Sequence, residues 1–181
     1  ESILFGPVSD LVPSTPVFEM YPIGFTTMAE YLERHGMRTR IINLAVRMLD
    51  EPSFDVEAYI KKLDSVAFGI DLHWLPHAHG SIEVARIVKR YHPTKPVIFG
   101  GFSSSYFYKE LIQYAAVDFI IRGDSTEVPL LMLMQYLRRG GVLNPTINSK
   151  AALELEAIPN LVWKDSDGEM HANPMGYSPE N

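Results

Sequence analysis

Short runs of β-branched and aromatic residues recur along this chain, each followed by a segment with helical spacing, and few folds admit that alternation. Strands of a parallel sheet read as near-continuous apolar runs because the crossover helices cover both faces. Five such runs occur, at residues 3–6, 39–44, 66–71, 96–100 and 119–122. Apolar residues spaced i, i+3, i+4, i+7 lie between and after them. They are Phe25, Met28, Ala29 and Leu32; Val56, Tyr59, Ile60 and Leu63; Val84, Ile87, Val88 and Tyr91; and Leu130, Leu133, Met134 and Leu137. His35-Gly36 and Gly140-Gly141 are natural stops for the first and last of these helices. The Met and aromatic positions on these stripes read as core.

The expected architecture is therefore α/β, a doubly wound five-stranded parallel sheet of Rossmann or flavodoxin type. Right-handed crossovers favour strand order 2-1-3-4-5, with a ligand crevice at the C-terminal ends of the strands. After Gly141 the pattern changes to a loop, a helical stretch around residues 151–157, and two short runs, Asn160-Leu161-Val162-Trp163 and Glu169-Met170-His171. Between them lies Asp165-Ser166-Asp167-Gly168, and Asp-Gly between such runs predicts a hairpin. Two parts are expected: an α/β domain over residues 1–141, and a helix and hairpin extension over residues 142–181 that ends as a linker. A first residue other than Met and the turn-rich Asn173-Pro174-Met175-Gly176-Tyr177-Ser178-Pro179 suggest a domain cut from a longer protein.

Composition narrows the chemistry. A chain of 181 residues with no cysteine has no disulfide, thiolate metal site, nucleophilic thiol or iron–sulfur cluster of its own. A formal charge of −6 gives no electrostatic reason to expect nucleic acid. Apolar stretches such as residues 130–134 are too short to span a bilayer, and the first residues lack a signal-peptide pattern, so a cytoplasmic setting is expected. No G-x-G-x-x-G follows the first run, and there is no Walker glycine-lysine loop and no G-x-S-x-G elbow. The crevice reads as one that holds a ligand.

Four loops leave the expected strand ends. The first, residues 7–16, is long and punctuated by proline before Tyr21-Pro22-Ile23-Gly24. The second, Asp71-Leu72-His73-Trp74-Leu75-Pro76-His77-Ala78-His79-Gly80, places three of six histidines at the crevice. Pro76 interrupts any helix through His73 and His77, which removes the i, i+4 zinc geometry; a three-histidine site and simple capping are the other readings. His73, beside an Asp71 able to hold its tautomer, is the candidate metal ligand. The third loop, Gly100-Gly101-Phe102-Ser103-Ser104-Ser105, offers close backbone approach and hydroxyl donors. Arg122-Gly123-Asp124-Ser125-Thr126-Glu127, the fourth, is small and polar, able to cap a helix and to bind.

Taken in order, these segments resemble the N-terminal cobalamin-binding domain of radical S-adenosylmethionine enzymes. Pro22-Ile23-Gly24, the helix running to Leu32 and Gly36, and Arg40-Ile41-Ile42-Asn43-Leu44 are similar to that family's P-L-G…L-x-x-x-G-x-x-V-x-x-x-D/N pattern. Val66-Ala67-Phe68-Gly69-Ile70 resembles its V-G-I-S strand, and Val97-Ile98-Phe99-Gly100-Gly101 its V-x-G-G strand. Residues 117–124 resemble V-D-Y-V-V-x-G-E, with Ser125 where relatives carry glycine; Ile158-Pro159-Asn160-Leu161 resembles the I-P-G-L segment that precedes the radical domain.

The resemblance implies a noncovalently bound cobalamin and no catalysis by this domain alone. Gly100 and Gly101 would admit the nucleotide tail, so a side chain at Gly101 is expected to block uptake while sparing the fold. Asp71, Leu72, His73 and Trp74, then Phe102, Ser103 and Ser104, then Arg122, Gly123, Asp124, Ser125 and Thr126, would surround the corrin's lower face. A following domain would supply a 4Fe-4S cluster and S-adenosylmethionine for methyl transfer or rearrangement. Related mutase and methionine-synthase domains place a cobalt-ligating His in D-x-H-x-x-G after strand one; here Asp71-Leu72-His73 follows strand three and Pro76 replaces the glycine. Lower-face ligation of cobalt by His73 is thus a hypothesis raised by this sequence, and the differing spacing and Pro76 favour its alternative, a wall formed by His73 and Trp74. Two further readings are a receiver-like signalling domain and a flavodoxin-like electron carrier. The first lacks an acidic pair after residue 6 and has Arg122 where Lys is required; the second lacks a hydroxyl-rich phosphate loop there.

Overall fold

A computed structural model describes residues 23–177. The chain divides into two compact units, Glu1–Ile41 and Ile42–Asn181. In the first, α1 (Ile23–Arg34) carries the expected spacing and ends where the Met37 N–H returns to the Leu32 carbonyl at 3.0 Å. The expected strand at residues 3–6 and the proline-rich loop at 7–16 lie outside the described residues.

One expected strand is corrected where the first unit gives way to the second along the chain. Residues 39–43 form no strand, and Leu44 begins a helix, α2 (Leu44–Asp50). Asn43 decides this locally, because its side chain accepts the Val46 N–H at 3.1 Å and starts a helical turn where the apolar run predicts extension. Asp55 caps α3 (Val56–Lys61) in the same way. Then follow β1 (Phe68–Asp71), a 3₁₀ turn (Leu75–His77), α4 (Ala78–Tyr91), β2 (Val97–Gly100), α5 (Phe102–Tyr106), α6 (Tyr108–Leu111), β3 (Phe119–Ile121), α7 (Glu127–Arg138), α8 (Lys150–Glu156), β4 (Leu161–Lys164) and β5 (Met170–Ala172).

The fold is α/β, and among the described residues a five-stranded mixed sheet runs in the order β1-β2-β3-β4-β5. β1, β2 and β3 are parallel, with Asp71 opposite Gly100 and Ile98 opposite Phe119, and neighbour one another as the third, fourth and fifth expected strands should. Beyond them the sheet departs from the all-parallel expectation. β4 adds antiparallel to β3, and β5 antiparallel to β4 around the turn at residues 165–168. Both α7 and α8 lie between β3 and β4, so this connection is not the single crossover helix that joins a parallel pair.

Alternation along the strands sorts the core into two layers. Phe68, Ile70, Val97, Phe99, Ile120 and Val162 face one side, packed with Ile60, Ala85, Val88, Leu111 and Ile112. Ile98, Phe119, Ile121, Leu161 and Trp163 face the other, against Leu133, Tyr136 and Leu137 of α7 and Ala152 and Leu155 of α8. At the start of the parallel strands Asp118 accepts the Val97 N–H at 2.7 Å and pairs with Lys89 at 2.5 Å. The opposite, C-terminal ends of the strands carry the candidate site. Among the described residues no helix is long and apolar enough to cross a membrane.

Candidate functional site

Past its last residue, β1 keeps its course along the start of α5. The Leu72 N–H donates to the Gly100 carbonyl (2.8 Å), the Ser104 N–H to Leu72 (3.2 Å), and Ser103 donates to the His73 carbonyl from both backbone (3.2 Å) and hydroxyl (2.8 Å). This pairing fixes the main chain of residues 71–73 and leaves the following side chains outward. The His73 ring stands edge-on to Trp74, centroids 4.8 Å apart, and 6.3 Å from Phe102. Trp74, Phe102 and Tyr106 are 61%, 62% and 74% exposed. Large aromatics left in water along one strand edge mark a surface that meets something flat and apolar. Pro76 sits in the 3₁₀ turn and α4 begins only at Ala78, so no helix joins His73 to His77.

The two adjacent glycines have opposite roles. Gly101, at φ 99° and ψ 172°, occupies a conformation open essentially to glycine. A Cβ there would collide with Asp71 Oδ1 and lie 2.9 Å from the His73 backbone nitrogen, so this glycine admits the chain's own β1 loop. The expectation that a side chain at Gly101 spares the fold is therefore corrected. Gly100 has open space where its Cβ would be, and so does Gly69. Both fall on the α7 face of the sheet by strand alternation, on neighbouring strands. Gly69 was not singled out from sequence; a glycine inside an apolar strand run was the available signal.

The loop after β3 closes the other side. The Gly123 N–H donates to Ser105 Oγ at 2.9 Å, and the Arg122 guanidinium lies over the Tyr108 ring at 4.7 Å and donates to the Asn173 carbonyl. Ser125 adopts a left-handed φ of 50° and Asp124 is exposed. Thr126 is buried at the position before α7, yet its side chain makes no capping bond. Two buried polar atoms in this neighbourhood have no partner, Ser104 Oγ and Arg122 Nε. An unmet buried polar atom costs about 1–3 kcal/mol.

Burial pushes the Asp71 carboxyl up, partly offset by His73, His77 and the backbone N–H of His73. That bond engages the His73 main chain, whereas the sequence reading has Asp71 hold its ring. Among the described residues no group of three or more His, Asp and Glu side chains could hold a metal ion, so the histidines of residues 73–79 form no zinc site.

Parallel strands thus end in a fixed backbone shelf beside exposed aromatics, at the strand edge where α/β domains hold ligands. The B12 binding domain family profile matches residues 10–133, well over half the chain, and the protein belongs to that family. Membership implies cobalamin binding. No curated protein and no solved structure matches it.

Proposed function

We propose that the domain holds cobalamin at the C-terminal edge of β1, β2 and β3 and presents its cobalt to a radical S-adenosylmethionine domain of the same protein. One observation supports the placement best. Gly100 and Gly69 have open space at their Cβ positions on adjacent strands, and exposed Trp74 and Phe102 flank the His73 ring where those strands end, which suits a wide apolar disk fringed by amides. Cobalamin supplies a cobalt able to carry a methyl group; the chain's residues hold and orient it.

In this reading Asp71, Leu72, His73 and Trp74 with Phe102 and Ser103 form the face beneath the corrin, and Gly100 the floor of the tail slot. Gly101 keeps the β1 loop in place. Gly123, Asp124, Ser125 and Thr126 border the far side. His73 and Trp74 wall the face without ligating cobalt. Residues 1–141 carry the cofactor, and residues 142–181 lead toward the partner. The partner brings the 4Fe-4S cluster and S-adenosylmethionine, for methyl transfer or rearrangement, in a cytoplasmic setting where such clusters stay reduced.

The purified chain, mixed with hydroxocobalamin and then desalted, is expected to retain about one equivalent by absorbance. Loss of all colour would overturn the cofactor reading. The radical half is checked by the parent sequence beyond Asn181, where a Cys-x-x-x-Cys-x-x-Cys triplet is expected and its absence rejects it.

A further inference from the structure

Asn160 is 1% exposed and stands in the left-handed conformation at φ 65°. Every polar group it owns is engaged. Toward β3, its carbonyl accepts the Arg122 N–H (3.0 Å) and its Nδ2 donates to the Arg122 carbonyl (3.0 Å). Toward the outgoing chain, its N–H donates to the Pro174 carbonyl (3.0 Å), its Oδ1 accepts the Tyr177 N–H (3.1 Å), and its Nδ2 donates to the Tyr177 carbonyl (3.3 Å). The side-chain amide thus acts as a short piece of strand between β3 and the last described residues. No other residue type offers that set. Aspartate lacks the two donors, glutamine is a methylene too long, and most side chains resist a positive φ.

The outgoing segment reaches the site loop directly. A Cβ on Gly123 would lie 3.3 Å from Asn160 Nδ2 and 3.4 Å from Met175 Cε, and Arg122 donates to the Asn173 carbonyl. Asn173 is itself anchored, its Nδ2 donating to the Leu155 and Ile158 carbonyls, both at 2.7 Å. Asn160 and residues 173–177 lie beyond the segment matched by the family profile, whereas Arg122 and Gly123 lie inside it.

We infer that residues 173–177 are a fixed wall of the edge site, locked there by Asn160 as positioning residue, so that the loop 122–126 and the course of the departing chain move as one unit. The functional part of this inference rests on the cobalamin reading; the lock does not.

Hydrogen exchange followed by mass spectrometry tests both, using Asn160→Gly, which keeps the left-handed backbone and removes only the side-chain bonds. Without ligand, amides of 173–177 and of 122–126 are expected to exchange together, at least about tenfold faster than in the parent chain. Unchanged exchange in 173–177, or loosening of one segment alone, overturns the lock. With hydroxocobalamin bound, as absorbance reports, the parent chain is expected to gain protection in both segments. Bound cobalamin with 173–177 unaffected overturns the wall. Absence of binding sinks the cofactor reading and with it the wall, while the ligand-free comparison still decides the lock.

Discussion

The loops leaving β1 and β2 and the hairpin of β4 and β5 belong to one sheet yet treat polar and aromatic groups in opposite ways. In the hairpin every demand is met. Asp165 Oδ1 accepts the Asp167 and Glu169 N–H groups (2.9 and 3.0 Å), its Oδ2 bonds His171 Nε2 at 2.7 Å, and that ring stacks on Trp163 at 4.4 Å. Trp163 is buried and donates to Asn173 Oδ1 at 3.2 Å. On the other side the second tryptophan, Trp74, stands in water, and Ser104 Oγ is buried without a partner. A region whose polar groups are all paired serves as scaffold, and the one with wet aromatics and an unpartnered buried hydroxyl is where the ligand is proposed to sit.

The largest effect expected from pressing on this contrast separates two adjacent glycines. Gly101→Val drives a β-branched side chain into Asp71 and the His73 backbone at a glycine-only φ, and is expected to cost at least about 4 kcal/mol, enough to unfold a marginal domain. Gly100→Val, with open space around its Cβ, is expected to change stability by less than about 1 kcal/mol while abolishing cobalamin retention. Urea melts and absorbance after desalting measure the pair. Equal melting midpoints for the two variants would break the assignment of scaffold and floor, and retention by Gly100→Val would remove Gly100 from the site.

That pair also shows where sequence reading reaches its limit. Gly100-Gly101 is legible as a motif because it ends an apolar run, but which glycine serves the fold depends on the β1 loop, some 30 residues earlier in sequence, crossing over it. The strands at 66–71, 96–100 and 119–122 were legible within two residues at each end because apolar runs are long-lived signals of burial. Residues 39–44 misled, since the run's own Asn43 supplies a helix cap that an apolarity argument does not weigh. The Asp-Gly turn marked the hairpin, but not that β4 would extend the sheet beside β3. Asn160 was hidden for the same reason as Gly101: its partners lie 38 and 17 residues away, and only the folded chain brings them to one amide.

A middling effect is expected in the scaffold under acid. The His171 bond holds the Asp165 carboxyl below its ordinary value of 3.8, with the turn N–H groups assisting. A lowered folded value means the unfolded chain binds the proton first. The stabilisation is therefore whole above 3.8 and is lost as pH falls through the lowered folded value. In a Trp74→Phe background, where fluorescence reports Trp163 alone, the gap in urea midpoint between the parent and Asp165→Asn is expected to be widest near about pH 5 and to narrow toward about pH 2. A gap that stays constant over that range would show the carboxylate to be no part of the hairpin's completeness.

The smallest effect concerns His73, and it sharpens what the open region lacks. Its carbonyl is tied by Ser103, its N–H faces Asp71, and its ring lies between Trp74 and Phe102, so nothing among the described residues orients a ring nitrogen for a metal. A ligating imidazole ordinarily has its second nitrogen fixed by a carboxylate or carbonyl. Cobinamide, which lacks the nucleotide base, makes the test clean because any nitrogen seen by reduced cobalt then comes from protein. Electron paramagnetic resonance of the cobalt(II) form bound to the parent chain and to His73→Ala is expected to give the same spectrum, without nitrogen superhyperfine structure. A triplet pattern in the parent that His73→Ala erases would make the wall a ligand, and would mean that binding reorients a ring which the free chain leaves packed against its aromatic neighbours.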